Sequence, residues 1–112
     1  MVDDSDDTPG EPMFFDRTGE PIDLKRYLQL HTDHDYRFLA RDTVGQYEVV
    51  TAWLGIDQGP FVDMAGPLIF GTAALGRRGK GRPRADHEQF AASEAEARAN
   101  HEALVRRLRS GR

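Results

Sequence analysis

The sequence predicts a small α+β domain: an antiparallel β-sheet of three to four strands with two helices against one face, in the order β-α-β-β-β-α. Three observations carry this expectation. The run Tyr47 to Leu54 (YEVVTAWL) is rich in β-branched and aromatic residues, as a strand requires. The last segment opens on Ser93-Glu94-Ala95-Glu96, a capping box, and then places Ala97, His101, Leu104, Val105 and Leu108 on one helical stripe. Between the ends, apolar spacing changes from a helical to a two-residue period near His34-Asp35.

The elements follow in order. Met13-Phe14-Phe15 reads as a short strand, and Arg17-Thr18-Gly19-Glu20-Pro21 as turn chemistry. Asp23 is placed to cap a helix whose Leu24, Tyr27, Leu28 and His31 form an apolar stripe. Tyr36, Phe38 and Ala40 then alternate with Arg37, Leu39 and Arg41, giving a strand with one better-buried face. Val44-Gly45-Gln46 is a hairpin connection into YEVVTAWL, and Asp57 to Pro67 is a loop rich in glycine and proline. Leu68 to Leu75 is a third sheet strand, antiparallel to YEVVTAWL, which Gly71 weakens or marks with a bulge. In the final helix Glu94–Arg98 and Glu102–Arg106 are i,i+4 pairs in the favourable order, and Gly111 ends it.

Length and composition set the frame. A chain of 112 residues, 38% apolar and 30% charged, is one globular domain. Residues 1–12 hold five acids, no base and two prolines, so they are read as a disordered acidic arm preceding a domain at 13–110. The absence of cysteine excludes disulfides, thiolate metal ligands and cysteine nucleophiles. The acidic start is unlike a signal peptide, and no apolar run approaches the roughly 20 residues of a membrane span, which implies a cytoplasmic protein. The net charge of −4 conceals an asymmetry, because residues 76–85 carry five bases and no acid. That loop can find an opposite charge in a partner or in the chain's own acidic arm.

Several segments, taken in order, carry a resemblance. They are Met13-Phe14-Phe15-Asp16, Thr51-Ala52-Trp53-Leu54-Gly55, Pro67-Leu68-Ile69-Phe70, and Ser93-Glu94-Ala95-Glu96-Ala97 with His101-Glu102. From Met13 to about Leu108 the chain resembles a family of small proteins of actinobacteria and their phages, to which no function is assigned. The resemblance implies a shared small fold and a phage or prophage origin. Relatives commonly have an acid after the Ile-Phe pair, where this chain has Gly71, and a mixed or acidic loop where this one is basic.

The basic loop is the sharpest candidate site. Arg77, Arg78, Lys80, Gly81, Arg82, Pro83 and Arg84 resemble an AT-hook, with Lys80-Gly81-Arg82-Pro83 as its core. A narrow A·T minor groove draws in arginine and lysine, glycine lets the backbone approach, and proline keeps it extended. A single such loop binds weakly and loses affinity with salt. The plain alternative is a solvated connection between the last strand and the final helix, or a contact for an acidic protein. For protein binding the candidates are Trp53, expected to share a strand face with Tyr47, Val49 and Thr51, and the loop residues Phe61, Val62 and Met64. Core packing is the favoured reading of Trp53, and an open face would make it an interface anchor instead. Exposed sheet edges add homodimerisation to the expectations.

Catalytic and metal chemistry find little support. His31-Thr32-Asp33-His34-Asp35 gathers two imidazoles and two carboxylates, but no HxxxH or HExxH spacing converges them on a metal. His87 and Glu88 read as surface residues, and His101 as a partly buried group hydrogen-bonded where helix meets sheet. No nucleophile elbow, phosphate loop or cofactor motif is present in the sequence. The expectation is therefore a non-enzymatic accessory protein, without cofactor or metal, binding a host or phage protein in the bacterial cytoplasm. The alternative is a weak DNA- or RNA-binding protein.

Overall fold

In the computed structural model the described residues are 14–58, 67–76 and 84–110. Strands β1 (Phe14–Phe15) and β2 (Pro21–Ile22) form a hairpin, followed by helices α1 (Leu24–His31) and α2 (His34–Arg37). Strands β3 (Phe38–Val44), β4 (Tyr47–Trp53), β5 (Phe70–Gly76) and β6 (Arg84–Ala91) make a fully antiparallel sheet in the order β3-β4-β5-β6. Helix α3 (Glu94–Arg109) closes the chain and packs across all four strands. The protein is thus α+β with a small antiparallel sheet.

Local chemistry accounts for each N-terminal element. The Asp16 carboxylate accepts from the Thr18 amide (2.9 Å), the Thr18 hydroxyl (2.7 Å) and the Glu20 amide (3.0 Å), while Gly19 takes φ +92°. Burial pushes the Asp16 carboxyl up, but these hydrogen bonds outweigh it and hold the group below the usual carboxylate range. Asp23 caps α1 by accepting from the Arg26 amide at 2.9 Å. The buried side of α1 matches the expected stripe in part: Tyr27 and His31 are half-buried, but Leu30 takes the core position and Leu24 and Leu28 are 54% and 52% exposed. Both sets of residues satisfy a 3.6-residue period, and the ring of Trp53 selects the Tyr27 side.

Asp33 caps a single turn, α2, accepting from the Tyr36 amide at 3.2 Å. The expected strand at Tyr36 therefore starts two residues later, at Phe38, and continues to Val44. The freed Tyr36 sets its ring edge-on to Trp53 at 5.1 Å, and its hydroxyl accepts from the Arg17 amide at 2.7 Å. Gly45-Gln46 turns β3 into β4, with Gly45 at φ +62° and Val44 opposite Tyr47.

Strand β6 falls where the sequence suggested the end of a loop and the approach to a helix. The basic segment consequently joins two paired strands, Gly76 lying opposite Arg84, and does not lead directly into the last helix. The bulge anticipated at Gly71 lies elsewhere. Thr72 opposes Gln89 and Ala74 opposes Asp86, so His87 and Glu88 together face Ala73. His87 takes the left-handed conformation, φ +59°, at this bulge. Glycine at 87 removes that strain, so His87→Gly is expected to raise stability by about 0.5–1 kcal/mol in urea unfolding.

The core lies between one sheet face and α3. Val49, Thr51 and Trp53 of β4, with Phe70, Thr72 and Ala74 of β5, alternate inward. They meet Ala97, His101, Leu104 and Val105 of α3, the stripe expected for that helix, with Leu108 packed beside it. Ser93 caps α3, accepting from the Glu96 amide at 3.1 Å. The expected reciprocal bond is made one residue earlier, Glu96 accepting from the Ala92 amide at 3.4 Å. At the same end, Arg17 of the N-terminal turn binds Glu94 through two nitrogens, at 3.2 and 2.8 Å, and Arg98 joins it at 2.9 Å. Burial raises the Glu94 carboxyl, yet the hydrogen bonds and charges of Arg17 and Arg98 prevail and hold it below the usual range. Glu102 and Arg106, also expected to pair, form no ion pair among the described residues.

Candidate interaction surface

Every side chain that β4 buries belongs to the α3 side, and the other face of the sheet carries half-buried residues. The strand registers assemble that outer face in rows. Phe38, Ala52, Gly71 and Phe90 lie side by side across all four strands. Next come Arg41, Val50 and Ala73, and then Thr43, Glu48 and Leu75. Among the described residues no helix or loop belongs to a buried cluster on this side; both clusters lie on the inner face. The surface is apolar over its middle strands, where an antiparallel sheet with a solvated face ordinarily carries polar side chains.

Its details are set by neighbours in space. A Cβ at Gly71 would lie 3.1 Å from Leu54 Cδ1 and 3.5 Å from ring atoms of Phe90, so these two side chains close over the glycine. Phe90 remains 37% exposed. At the β3 edge, Phe38 is flanked by the guanidinium groups of Arg37 (4.8 Å) and Arg41 (5.3 Å), with the His34 ring edge-on at 5.7 Å. Arg41 also pairs with Glu48 at 3.2 Å. The charged pair of the outer face thus spans β3 and β4, while Val50, Ala52, Leu54, Ala73, Leu75 and Phe90 supply its apolar side chains.

The other polar assembly is enclosed. Thr72 and Thr51 share a hydrogen bond of 2.7 Å, Thr51 reaches His101 Nδ1 at 2.8 Å, and His101 Nε2 meets the Asp42 carboxylate at 2.8 Å. An ionised Asp42 only accepts, so Nε2 carries a proton, and in the neutral ring Nδ1 accepts from the Thr51 hydroxyl. The order of groups is that of an acid–imidazole–hydroxyl relay. Yet Thr51, Thr72 and His101 are 0%, 2% and 3% exposed, and only Asp42 reaches solvent. The arrangement joins helix to sheet and leaves no space for a reacting group at either hydroxyl. His101 is thus the hydrogen-bonded histidine expected at the helix–sheet junction.

Of the remaining sequence candidates, Trp53, Arg84, His31 and His34 lie among the described residues. Trp53, named for protein binding, is 1% exposed, and its indole Nε1 donates to the Phe15 carbonyl at 2.9 Å. It is a core residue, because the strand face it occupies is the one covered by α3 and the N-terminal elements. Phe61, Val62 and Met64 lie outside the described residues, as do Arg77, Arg78, Lys80, Gly81, Arg82 and Pro83 and the acidic arm 1–12. Arg84 is the first residue of β6. His31 packs on Tyr27 at 5.4 Å while His34 turns to Phe38, and no metal-binding group of three or more such ligands occurs among the described residues.

The outer-face residues were not singled out in the sequence, although their signal is there. YEVVTAWL is apolar on both alternating sets, Val50, Ala52 and Leu54 as well as Val49 and Trp53. Comparison with protein-family models, with curated proteins and with solved structures returns no match to this chain.

Proposed function

We propose that this chain is a non-enzymatic accessory protein that docks an apolar surface of a partner protein on the outer face of its sheet. The apolar rows Ala52–Gly71–Phe90 and Val50–Ala73, with Leu54 and Leu75, carry the proposal. The enclosed Thr51–His101–Asp42 relay supports the non-enzymatic part, since its hydroxyls are out of reach of a substrate. A phage-type origin and a cytoplasmic setting belong to the same proposal and rest on the sequence resemblance and composition.

Size favours a reversible heterologous contact over an obligate dimer. Four strands about 4.8 Å apart and seven residues at about 3.3 Å each give a footprint of roughly 400 Å². A standard stable interface takes about 800 Å² from each partner, and obligate homodimers more. Edge-to-edge pairing through β6 is opposed by its bulge and by Asp86, His87 and Glu88.

The test is a titration of the purified partner, isolated from cells that encode the chain. Val50→Glu with Phe90→Glu is expected to weaken binding at least tenfold, and Ala99→Glu on the exposed side of α3 to leave it unchanged. Equal effects from both sides of the molecule would refute the assignment of the face.

A further inference from the structure

The four-stranded sheet ends on two edges, and they differ. Along β6 the bulge at His87-Glu88 and the run Asp86, His87 and Glu88 interrupt the pattern that a further strand would need. Strand β3 has its bulge at the far end, between Phe38 and Ala40, and runs in unbroken register from Ala40 to Val44. It contains no proline and no lysine, the residues that commonly blunt an edge.

The hairpin fixes which backbone groups of β3 are open. Gly45 has φ +62° and Gln46 keeps a negative φ, so the two-residue connection is a type II′ turn. Such a turn bonds the Val44 carbonyl to the Tyr47 amide, and in an antiparallel ladder that closing pair exchanges both bonds. Bonded and non-bonded pairs then alternate, so Asp42 with Val49 and Ala40 with Thr51 are bonded as well. Arg41 and Thr43 therefore turn their N–H and C=O groups away from β4. Among the described residues neither backbone makes a bond beyond the sheet ladder. The Leu39 carbonyl accepts from Arg98 at 3.2 Å, which bounds the open stretch on that side.

The side chains leave this stretch uncovered. Residues 41 to 43 are exposed. Arg41 leans across the outer face to Glu48 at 3.2 Å and over the Phe38 ring. Asp42, on the opposite face, bonds His101 while its side chain stays 46% exposed. A second copy of the chain fits poorly here. The register that uses both open residues of both copies pairs Arg41 with Thr43 and sets Asp42 against Asp42, at a non-bonded Cα spacing of about 4.5 Å. Like charges directly opposite are destabilising. The neighbouring registers set Arg41 against Arg41 or run into the turn at Gly45, and they use fewer of the open groups.

We infer that the β3 edge takes an extended segment of another protein as an antiparallel fifth strand, with a base opposite Asp42 between two β-branched residues. The main-chain groups of Arg41 and Thr43 supply the hydrogen bonds, and the side chains facing them supply the selection. Asp42 selects the base, and β-branched residues fit the pleated surface on either side of it. The site adjoins the proposed docking face and does not depend on it.

The experiment is an amide NMR titration of the full chain with a cyclic β-hairpin peptide whose outer strand reads Thr-Val-Lys-Val-Thr, preorganised so that little ordering is lost on binding. Saturable shifts are expected at the Arg41 and Thr43 amides, with slowed hydrogen exchange at both. Methylating the two valine amides, which point away from the peptide's own partner strand, should weaken binding about tenfold. Glutamate in place of the lysine should weaken it about fivefold. Thr43→Pro removes one outward N–H at a position where an edge strand tolerates proline, and should bind about fivefold more weakly with the fold retained. Val50→Glu with Phe90→Glu, on the outer face, should leave the peptide's affinity unchanged. Absence of saturable shifts at Arg41 and Thr43 would overturn the inference. So would equal affinity of the methylated peptide, or loss of binding in the outer-face variant.

Discussion

Gly55→Ala is expected to lower stability by about 2–5 kcal/mol, combining left-handed strain with overpacking. Gly55 has φ +78°, and a Cβ there would stand 2.7 Å from Trp53 Cζ2 and 2.7 Å from Tyr27 Cε1. Neither ring can yield easily. Trp53 is buried and its Nε1 is held by the Phe15 carbonyl, while Tyr27 is stacked on Phe14 at 4.5 Å. The Gly55 carbonyl also accepts from the Phe15 amide at 2.9 Å, so a shift of the backbone would loosen the N-terminal hairpin as well. Gly19 and Gly45 supply the internal control, since each has positive φ and no atom within 4 Å of a built Cβ. Alanine at either should cost only about 1–2 kcal/mol, the conformational part alone. Urea unfolding of the three variants measures the difference. Equal losses at 45 and 55 would show that the Trp53–Tyr27 contact imposes no constraint.

The buried relay is the second place where a small change has a large consequence. Thr51→Val keeps the shape but removes the hydroxyl between Thr72 and His101 Nδ1. Each is left without that partner at 2–3% exposure, which costs about 1–3 kcal/mol. Adding Thr72→Val removes one of the two orphaned groups, so the double variant should be no less stable than Thr51→Val alone. Additive losses in the double variant would mean that the two hydroxyls act separately. The relay also anchors α3 over β3 through Asp42, and α3 is what covers the inner face. A loosened helix would therefore expose the inner core.

What was legible in the sequence depended on how many neighbours each element needs. YEVVTAWL is a central strand flanked on both sides, and its composition alone identifies it. Helix α3 announces itself by Ser93, Glu96 and an unbroken apolar stripe, all local signals. Strand β6 is different. It is an edge strand reading Arg84-Ala-Asp-His-Glu-Gln-Phe-Ala91, polar over most of its length, and the bulge at His87-Glu88 breaks its alternation. The side of α1 that is buried was decided by Phe14 and Trp53, which arrive from other elements. Trp53 itself was read correctly as a packing residue, and its other reading, as an interface anchor, fails because α3 and the N-terminal elements cover its face. The candidate surfaces were legible only in part. YEVVTAWL carries apolar residues on both alternating sets, and which set is buried follows only from α3 packing across all four strands.

The outer sheet face is tested most directly by a photo-reactive benzoylphenylalanine at Leu75, compared with one at Ala99 on the exposed side of α3, in cells that encode the chain. The account predicts an adduct with one protein of different sequence from position 75, lost when Phe90→Glu is added, and no such adduct from position 99. The same adducts from both positions, adducts between two copies of this chain only, or none from position 75 would contradict it.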